Sequence, residues 1–149
     1  MPSVALRFDL TMKPLYTAHA LSTGDGRNGH TALPDGSLSI DLAIPKEMGG
    51  SGAGANPEQL FALGYAACFH SALKFVAGST KQNVDESAVA AAVAIGPSDA
   101  GGFELAVVLE VELPHLERAE AEALVAKAHE VCPYSNATRG NIDVQVRLT

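Results

Sequence analysis

One long apolar segment, residues 57–77, constrains the fold of this chain more than any other feature. Asn56, Pro57 and Glu58 mark a helix start, because Asn is a favoured N-cap, Pro suits the first helical position and Glu complements the positive end of the helix dipole. Gly78 is expected to end the helix. Apolar residues occupy nearly its whole circumference, which predicts burial on nearly all sides. A chain of 149 residues has little material to surround such a helix, and this indicates a dimer with a shared core.

The rest of the chain predicts an α+β fold around that helix. Alternating apolar and polar residues predict strands at 15–21, 38–44, 87–95, 103–113 and 142–148. A helical pattern covers 117–131, and a short turn or helical piece follows at 134–140. The order β-β-α-β-β-α-β is typical of an α+β protein. Residues 1–12 have no clear period and are predicted to be an arm or an extra strand, and no later linker divides the chain into domains.

Composition and charge exclude several classes of protein. Ten Lys and Arg against seventeen Asp and Glu give a net charge of −7, which argues against nucleic acid or an anionic membrane surface as the main partner. The first residues lack the apolar stretch of a secretory signal. The longest apolar run, residues 60–69, is shorter than the about 20 residues that cross a bilayer. We therefore expect a cytoplasmic protein.

The two cysteines lie in contrasting places. Cys68 is in the middle of the apolar helix, and Cys132 directly precedes Pro133 at the end of the second helix. A buried cysteine is most often an inert, small apolar residue. A nucleophilic role for Cys68 would need a nearby cation or hydrogen-bond donor, because burial alone raises the pKa of a thiol.

An arginine is the natural cation for this role, since it stays charged when buried and can form a forked pair with a carboxylate. Arg27, in a turn-rich loop, and Arg139, after the second cysteine, are candidates, whereas Arg118 is predicted on a solvated helix face. Glu58 is the candidate carboxylate, although a favourable interaction with the helix dipole would also explain it. On one straight helix, Glu58 and Cys68 are about 15 Å apart along the axis and about 80° apart around it. If they share a site, either the helix breaks between them or they come from different chains.

Two other kinds of site are disfavoured. Cys68, His70, His129 and Cys132 are the residue types of a zinc site, but residues two apart on a helix point about 200° from each other. The glycine-rich segment at residues 49–54 lacks the Lys-Ser/Thr of a phosphate-binding loop. The sequence therefore favours neither a zinc site nor a nucleotide-binding site.

Two long motifs, each holding one cysteine, resemble a known family. Residues 56–77, which include Asn-Pro-Glu-Gln-Leu-Phe-Ala and Gly-Tyr-Ala-Ala-Cys-Phe, resemble the central helix of the organic hydroperoxide resistance proteins, thiol peroxidases of the Ohr/OsmC superfamily. Residues 131–142, Val-Cys-Pro-Tyr-Ser-Asn-Ala-Thr-Arg-Gly-Asn-Ile, resemble the C-terminal signature of that family. Residues 15–18 and 26–29 resemble its N-terminal hairpin. The match covers about residues 13–148, so that residues 1–12 form an N-terminal extension and residues 13–149 a single domain of this type.

The resemblance implies an OsmC-like α+β fold, with antiparallel sheets and a long buried central helix, in an intertwined homodimer. Its two active sites would lie at the subunit interface. By motif, Cys68 corresponds to the peroxidatic cysteine and Cys132 to the resolving cysteine, and Arg27 and Glu58 match the pair that stabilises the thiolate. The family uses no metal and no bound organic cofactor.

The same resemblance implies a function in the oxidative stress response. The substrates would be alkyl or lipid-derived hydroperoxides, and the electrons would come from dihydrolipoyl groups on lipoylated proteins or from another dithiol. A Cys68 thiolate would attack the peroxide to give a sulfenic acid and an alcohol, and Cys132 would then condense with it to a disulfide. The alternative is a redox-sensing or ligand-binding protein that uses the same cysteine pair without turnover.

Overall fold

The computed structural model describes residues 11–149, which fall into two compact units. The first unit ends at Asn56, and the second spans Pro57–Thr149. The first unit contains an antiparallel sheet in the order β1-β2-β3. Its elements are β1 (Leu21–Thr23), a 3-10 turn at Gly26–Asn28, β2 (His30–Ala32), β3 (Ser39–Asp41) and a second 3-10 turn at Lys46–Met48.

The first unit departs from the sequence-based expectation in its strands. The strand predicted at residues 15–21 begins only at Leu21, and β2 was not predicted. The strand β2 was missed because three residues are fewer than the four to eight over which alternation becomes visible. The arm predicted at residues 1–12 lies almost wholly outside the described residues.

The second unit packs helices against one sheet. Its elements are α1 (Pro57–Thr80), β4 (Ala88–Pro97), β5 (Phe103–Glu112), α2 (Arg118–Val131), α3 (Pro133–Thr138) and β6 (Asp143–Leu148). The core joins Phe69 and Leu73 of α1 to Leu109 of β5 and to Leu124 and Ala128 of α2. The positions of these helices and strands confirm the predicted α+β class.

One pairing corrects the prediction of antiparallel sheets. Strands β4 and β5 are antiparallel from Ala88↔Glu112 to Pro97↔Phe103, but β5 and β6 run parallel. The connection from β5 to β6 passes through α2 and α3. Such a helical crossover brings the chain back to the same end of the sheet, which a parallel strand requires.

The central helix is longer than predicted. It continues through Gly78 to Thr80, and its end is formed by Lys81, which has a φ of 55°. The N–H of Gln82 donates to the carbonyl of Ala77 at 3.1 Å. This is the left-handed closing turn in which glycine is common. A lysine forms it here, three residues after the glycine that was predicted to end the helix. A glycine inside a helix costs about 1 kcal/mol, which is too little to end a helix anchored in the core by Ala77.

The burial of α1 within one chain is one-sided. Its buried residues are Tyr65, Phe69, Ala72, Leu73, Val76 and Ala77, whereas the side chains of Leu63 and Phe75 are 69% and 73% exposed. The helix is also long and apolar enough to span a membrane, with a mean hydropathy of 1.4 over an 18-residue window. Within the structure 33% of that window is buried, and the buried face lies in the core of the second unit.

Candidate active site

The second unit brings the two cysteines together. Cys68, in the middle of α1, and Cys132, which joins α2 to α3, have their Sγ atoms 3.6 Å apart. Both are free thiols; Cys132 is fully buried and Cys68 is half-buried. The contact brings the two sequence motifs together in space.

The turn between α2 and α3 fixes the position of Cys132. Its backbone is extended, with φ −60° and ψ 122°, and it serves as the last cap of α2 and the first cap of α3. Its N–H donates to Ala128 O at 2.8 Å, and its carbonyl accepts from Asn136 N at 3.0 Å. Pro133 enforces the turn, because a proline disfavours helical geometry in the residue before it and suits the first position of a helix.

Burial raises the pKa of the Cys68 thiol. A backbone hydrogen bond from Tyr134 opposes this shift, and the neighbouring Cys132 adds to it. Desolvation is the largest cause, since an apolar setting disfavours the charged thiolate. At neutral pH the thiol is therefore mostly protonated unless further positive charge stabilises the thiolate.

Side chains within six residues of the two cysteines form a set of buried and half-buried hydrogen bonds that the sequence analysis missed. The hydroxyl of Tyr65 lies 2.9 Å from Ser135 Oγ and 3.1 Å from Thr138 Oγ1, and His129 Nδ1 lies 2.8 Å from Ser135 Oγ. Tyr65 and Ser135 are fully buried. The available signal was their spacing, because Tyr65 precedes Cys68 by three residues and Ser135 follows the other cysteine by three.

His129 is held in its neutral form. Burial lowers the pKa of its imidazole, and the positive charge of Arg139 lowers it further. The Arg139 guanidinium donates to the carbonyl of His129 and to Asn136 Oδ1. Arg139 therefore satisfies a carbonyl in the last turn of α2.

A groove of about 810 Å³ lies on the second unit, and neither cysteine is among its lining residues. The side chain of Tyr134 lines it, while the backbone of the same residue hydrogen-bonds to Cys68. The Phe61 and Tyr134 rings have centroids 6.0 Å apart, and Phe103 adds a third aromatic ring to the wall. The complete lining is Pro57, Leu60, Phe61, Ser98, Phe103, Glu104, Leu105, Tyr134, Ala137, Thr138, Asn141 and Ile142.

The two predicted charged residues occupy different units. Arg27 is the middle residue of the 3-10 turn in the first unit, and Glu58 lies in the first turn of α1 in the second. Because α1 is continuous from Pro57 to Thr80, Glu58 and Cys68 remain about 15 Å apart along its axis. A break in the helix therefore does not bring them together. The pairing of Arg27 and Glu58 at the thiol stays a prediction.

The residues considered for zinc do not form a metal centre in the described part of the chain. Among residues 11–149, no three His, Cys, Asp or Glu side chains converge closely enough to hold an ion. His70 Nε2 instead hydrogen-bonds with Ser87 Oγ at 3.0 Å.

Fold and site together define an α+β protein in which two reduced thiols, one inside a helix and one at the joint between two other helices, are in contact. The sequence profile of the OsmC-like protein family matches residues 49–147, and the chain belongs to this family. It is 51% identical, over 138 residues, to an organic hydroperoxide resistance protein of Xanthomonas axonopodis pv. citri (strain 306), across 91% of this chain and 96% of that protein. These matches confirm the resemblance predicted from the two motifs.

Solved structures agree with this assignment. An organic hydroperoxide resistance protein from Legionella pneumophila superposes with a TM-score of 0.88 at 51% identity, covering 92% of this chain and 99% of that one. A related protein from Vibrio cholerae, solved with captopril bound in one of its active sites, gives 0.87 at 50% identity, with 95% and 96% covered. The OsmC-like fold is thereby confirmed.

Proposed function

We propose that this protein is a thiol-dependent peroxidase that reduces organic hydroperoxides to alcohols through a Cys68 sulfenic acid and a Cys68–Cys132 disulfide. The observation that carries the proposal is the 3.6 Å contact between a half-buried and a fully buried free thiol. The names of its relatives support a role in resistance to organic hydroperoxides.

The chemistry has two steps within the protein. The Cys68 thiolate attacks the terminal peroxide oxygen, the O–O bond breaks, and the alkoxide leaves as an alcohol after taking a proton. The thiol of Cys132 then attacks the oxidised sulfur, and the hydroxyl departs with the Cys132 proton as water. Since a disulfide needs about 2.05 Å between sulfurs, the thiols must approach by a small movement from their 3.6 Å contact.

The first step requires a thiolate, and the raised pKa of Cys68 works against one. We assign the compensating charge to Arg27, oriented by a forked pair with the Glu58 carboxylate. The backbone hydrogen bond from Tyr134 supplies a further donor. The Arg27 guanidinium would also polarise the bound peroxide.

The substrate, the electron donor and the assembly follow the same proposal. The apolar and aromatic wall of the groove suits an alkyl or lipid-derived hydroperoxide. A dihydrolipoyl group of a lipoylated protein, or another dithiol, would reduce the disulfide without a metal or bound organic cofactor.

The exposed apolar side chains of α1 favour a homodimer. We further propose residues 13–149 as one domain of a cytoplasmic protein that binds neither nucleic acid nor membrane.

Turnover tests this function directly. Purified protein mixed with excess cumene hydroperoxide should consume many equivalents when dihydrolipoamide is the reductant, and fewer with thioredoxin. Cys68→Ser should consume none. Consumption of a single equivalent followed by arrest would contradict catalysis and favour a redox sensor built on the same two cysteines.

A further inference from the structure

The buried hydrogen bonds beside the thiols tie together the elements that carry the two cysteines. His129 lies three residues before Cys132 and Ser135 three residues after it, and their side chains meet at 2.8 Å across the joint between α2 and α3. Ser135 Oγ also lies 2.9 Å from the hydroxyl of Tyr65, which precedes Cys68 by one turn of α1. The joint is thus attached to the helix of the other cysteine.

We propose that Tyr65, Ser135 and His129 are positioning residues that hold the two thiols in contact and thereby favour the disulfide over the dithiol. The inference deepens the proposed function, which would use such a bias to reach the disulfide before further oxidation of Cys68. The dithiol–disulfide equilibrium itself can be measured without any peroxide.

The proton on each group can be assigned from the distances. The hydroxyl of Thr138 has its shortest contact, 2.9 Å, with the carbonyl of Tyr134 and donates there. It therefore accepts from Tyr65 at 3.1 Å, Tyr65 accepts from Ser135, and Ser135 accepts from the Nδ1–H of His129. Each hydroxyl has one proton and uses it once, so the chain of bonds runs in a single direction and constrains every member.

The backbone alone leaves the joint under-restrained. The bonds from Cys132 N to Ala128 O and from Asn136 N to Cys132 O each continue one helix and do not fix the angle between α2 and α3. Helix α3 has six residues, and a helix of that length is marginal by itself. The side-chain bonds through Ser135 restrain the joint together with the bond from Arg139 to the carbonyl of His129, and the full burial of Tyr65 and Ser135 makes the bond between them costly to break.

Loss of this restraint would lower the effective concentration of one thiol at the other. In exchange with oxidised dithiothreitol, the two thiols lose their protons, one S–S bond forms in the protein and one breaks in the reagent, which leaves as its dithiol. We expect Tyr65→Phe and Ser135→Ala each to lower the equilibrium constant for this exchange at least tenfold, which corresponds to a rise of about 30 mV in the reduction potential.

The experiment is a redox titration of the intact protein in dithiothreitol buffers, with the fraction of disulfide read by mass spectrometry after alkylation. Tyr65→Phe removes the hydroxyl and keeps the ring, which packs against Tyr134 at a centroid distance of 5.7 Å. The amide N–H of His129→Asn can take the place of Nδ1–H, so this variant should keep the wild-type equilibrium constant. His129→Leu has no such donor and should lower the constant. Ser87→Ala is the matched control, because it removes the Ser87–His70 bond in the same unit.

The proposal stands if Tyr65→Phe or Ser135→Ala shifts the equilibrium at least tenfold while Ser87→Ala does not. It is overturned if both variants shift it by less than tenfold, if the control shifts it as much, or if His129→Asn behaves like His129→Leu. Should Tyr65→Phe fail to fold, Ser135→Ala and His129→Leu make the same test. A wild-type protein without peroxide turnover would refute the proposed function and leave this result intact.

Discussion

The surroundings of the half-buried Cys68 thiol raise its pKa and so favour the protonated form. The proposed catalysis therefore needs a nearby positive charge that stabilises the thiolate. Burial and the nearby Cys132 raise its pKa, and a single backbone hydrogen bond from Tyr134 lowers it. The guanidinium of Arg27 is our candidate for the missing charge, and its contribution can be measured on the thiol itself.

Arg27→Ala should shift the pH dependence of Cys68 alkylation to higher pH, because the thiolate loses its cation. The fold should stay intact, since Arg27 is half-buried in a short turn that has no fully buried residue. The rate of iodoacetamide labelling from pH 6 to 10 measures the shift. Arg118→Ala is the control, because Arg118 pairs with Glu122 on an exposed face of α2. An unchanged profile in Arg27→Ala would assign the role to another cation.

The stability of the fold should fall at acidic pH. Desolvation lowers the pKa values of His70 and His129 in the folded state, so below the usual value of about 6.5 the unfolded chain binds more protons than the folded one. The free energy of unfolding should therefore decrease as the pH falls through 6.5 toward the lowered values. Urea denaturation at pH 7.5 and 5.5 measures the decrease. His129→Asn should reduce it, and an unchanged pH dependence in that variant would count against the role of His129.

At the level of elements, α1 contains two glycines, and only one of them lies against a neighbouring side chain. A Cβ on Gly64 would lie 2.9 Å from the hydroxyl and 3.2 Å from Cε2 of Tyr134, so the absence of a side chain lets the ring pack on the helix. A Cβ on Gly78 would have no neighbour within 4 Å.

This contrast predicts different effects of the same substitution. Gly78→Ala should stabilise the protein by about 0.5–1 kcal/mol, the usual gain in helix propensity. Gly64→Ala should lose that gain, because Tyr134 must move. Urea denaturation measures the free energy of unfolding of both variants. Equal stabilisation would contradict this prediction, because it would mean that the Tyr134 ring moves away from residue 64 at no cost.

The regular elements of the second unit could be predicted from the sequence because their patterns are long. The ten-residue strands β4 and β5 show a clear alternation of more and less buried positions, and Asn56 and Pro57 mark the start of α1 in the sequence. The parallel pairing of β6 could not be read in this way, since hydrophobic alternation marks a strand but not the direction of its neighbour.

The site was predictable to a different degree. Cys68 and Cys132 were assigned to one site because each lies in a long motif of a known family. The hydrogen bonds that connect Tyr65, Ser135 and His129 were missed because these residues come from separate segments. Only the packing of α1 against α2 and α3 brings their side chains together.

For the whole molecule, the apolar side chains left exposed on one chain support the proposed homodimer. Leu63 and Phe75 of α1 remain mostly exposed, as does Phe103 at the start of β5. Where exposed aromatic and aliphatic side chains form one contiguous patch, they mark a surface that associates with a partner. Our proposal therefore places the active sites in a homodimer, with Glu58 of one chain serving Cys68 of the other.

Subunit mixing tests that arrangement. If Glu58 acts across the interface, refolding Cys68→Ser with Glu58→Ala subunits gives heterodimers in which one site carries both lesions and the other carries neither. Each heterodimer should recover about half of the wild-type activity, since one of its two sites is whole. A mixture as inactive as its parents would instead place the arrangement within one chain.

Mass spectrometry after one equivalent of hydroperoxide tests the central claim most directly. The wild-type protein should lose two hydrogens and show a Cys68–Cys132 cross-link after digestion. Cys132→Ser should gain one oxygen on Cys68 and form no cross-link, and Cys68→Ser should remain unmodified. Oxidation of Cys132 in the Cys68→Ser protein at the wild-type rate would contradict the account, because it would make Cys132 the residue that meets the peroxide.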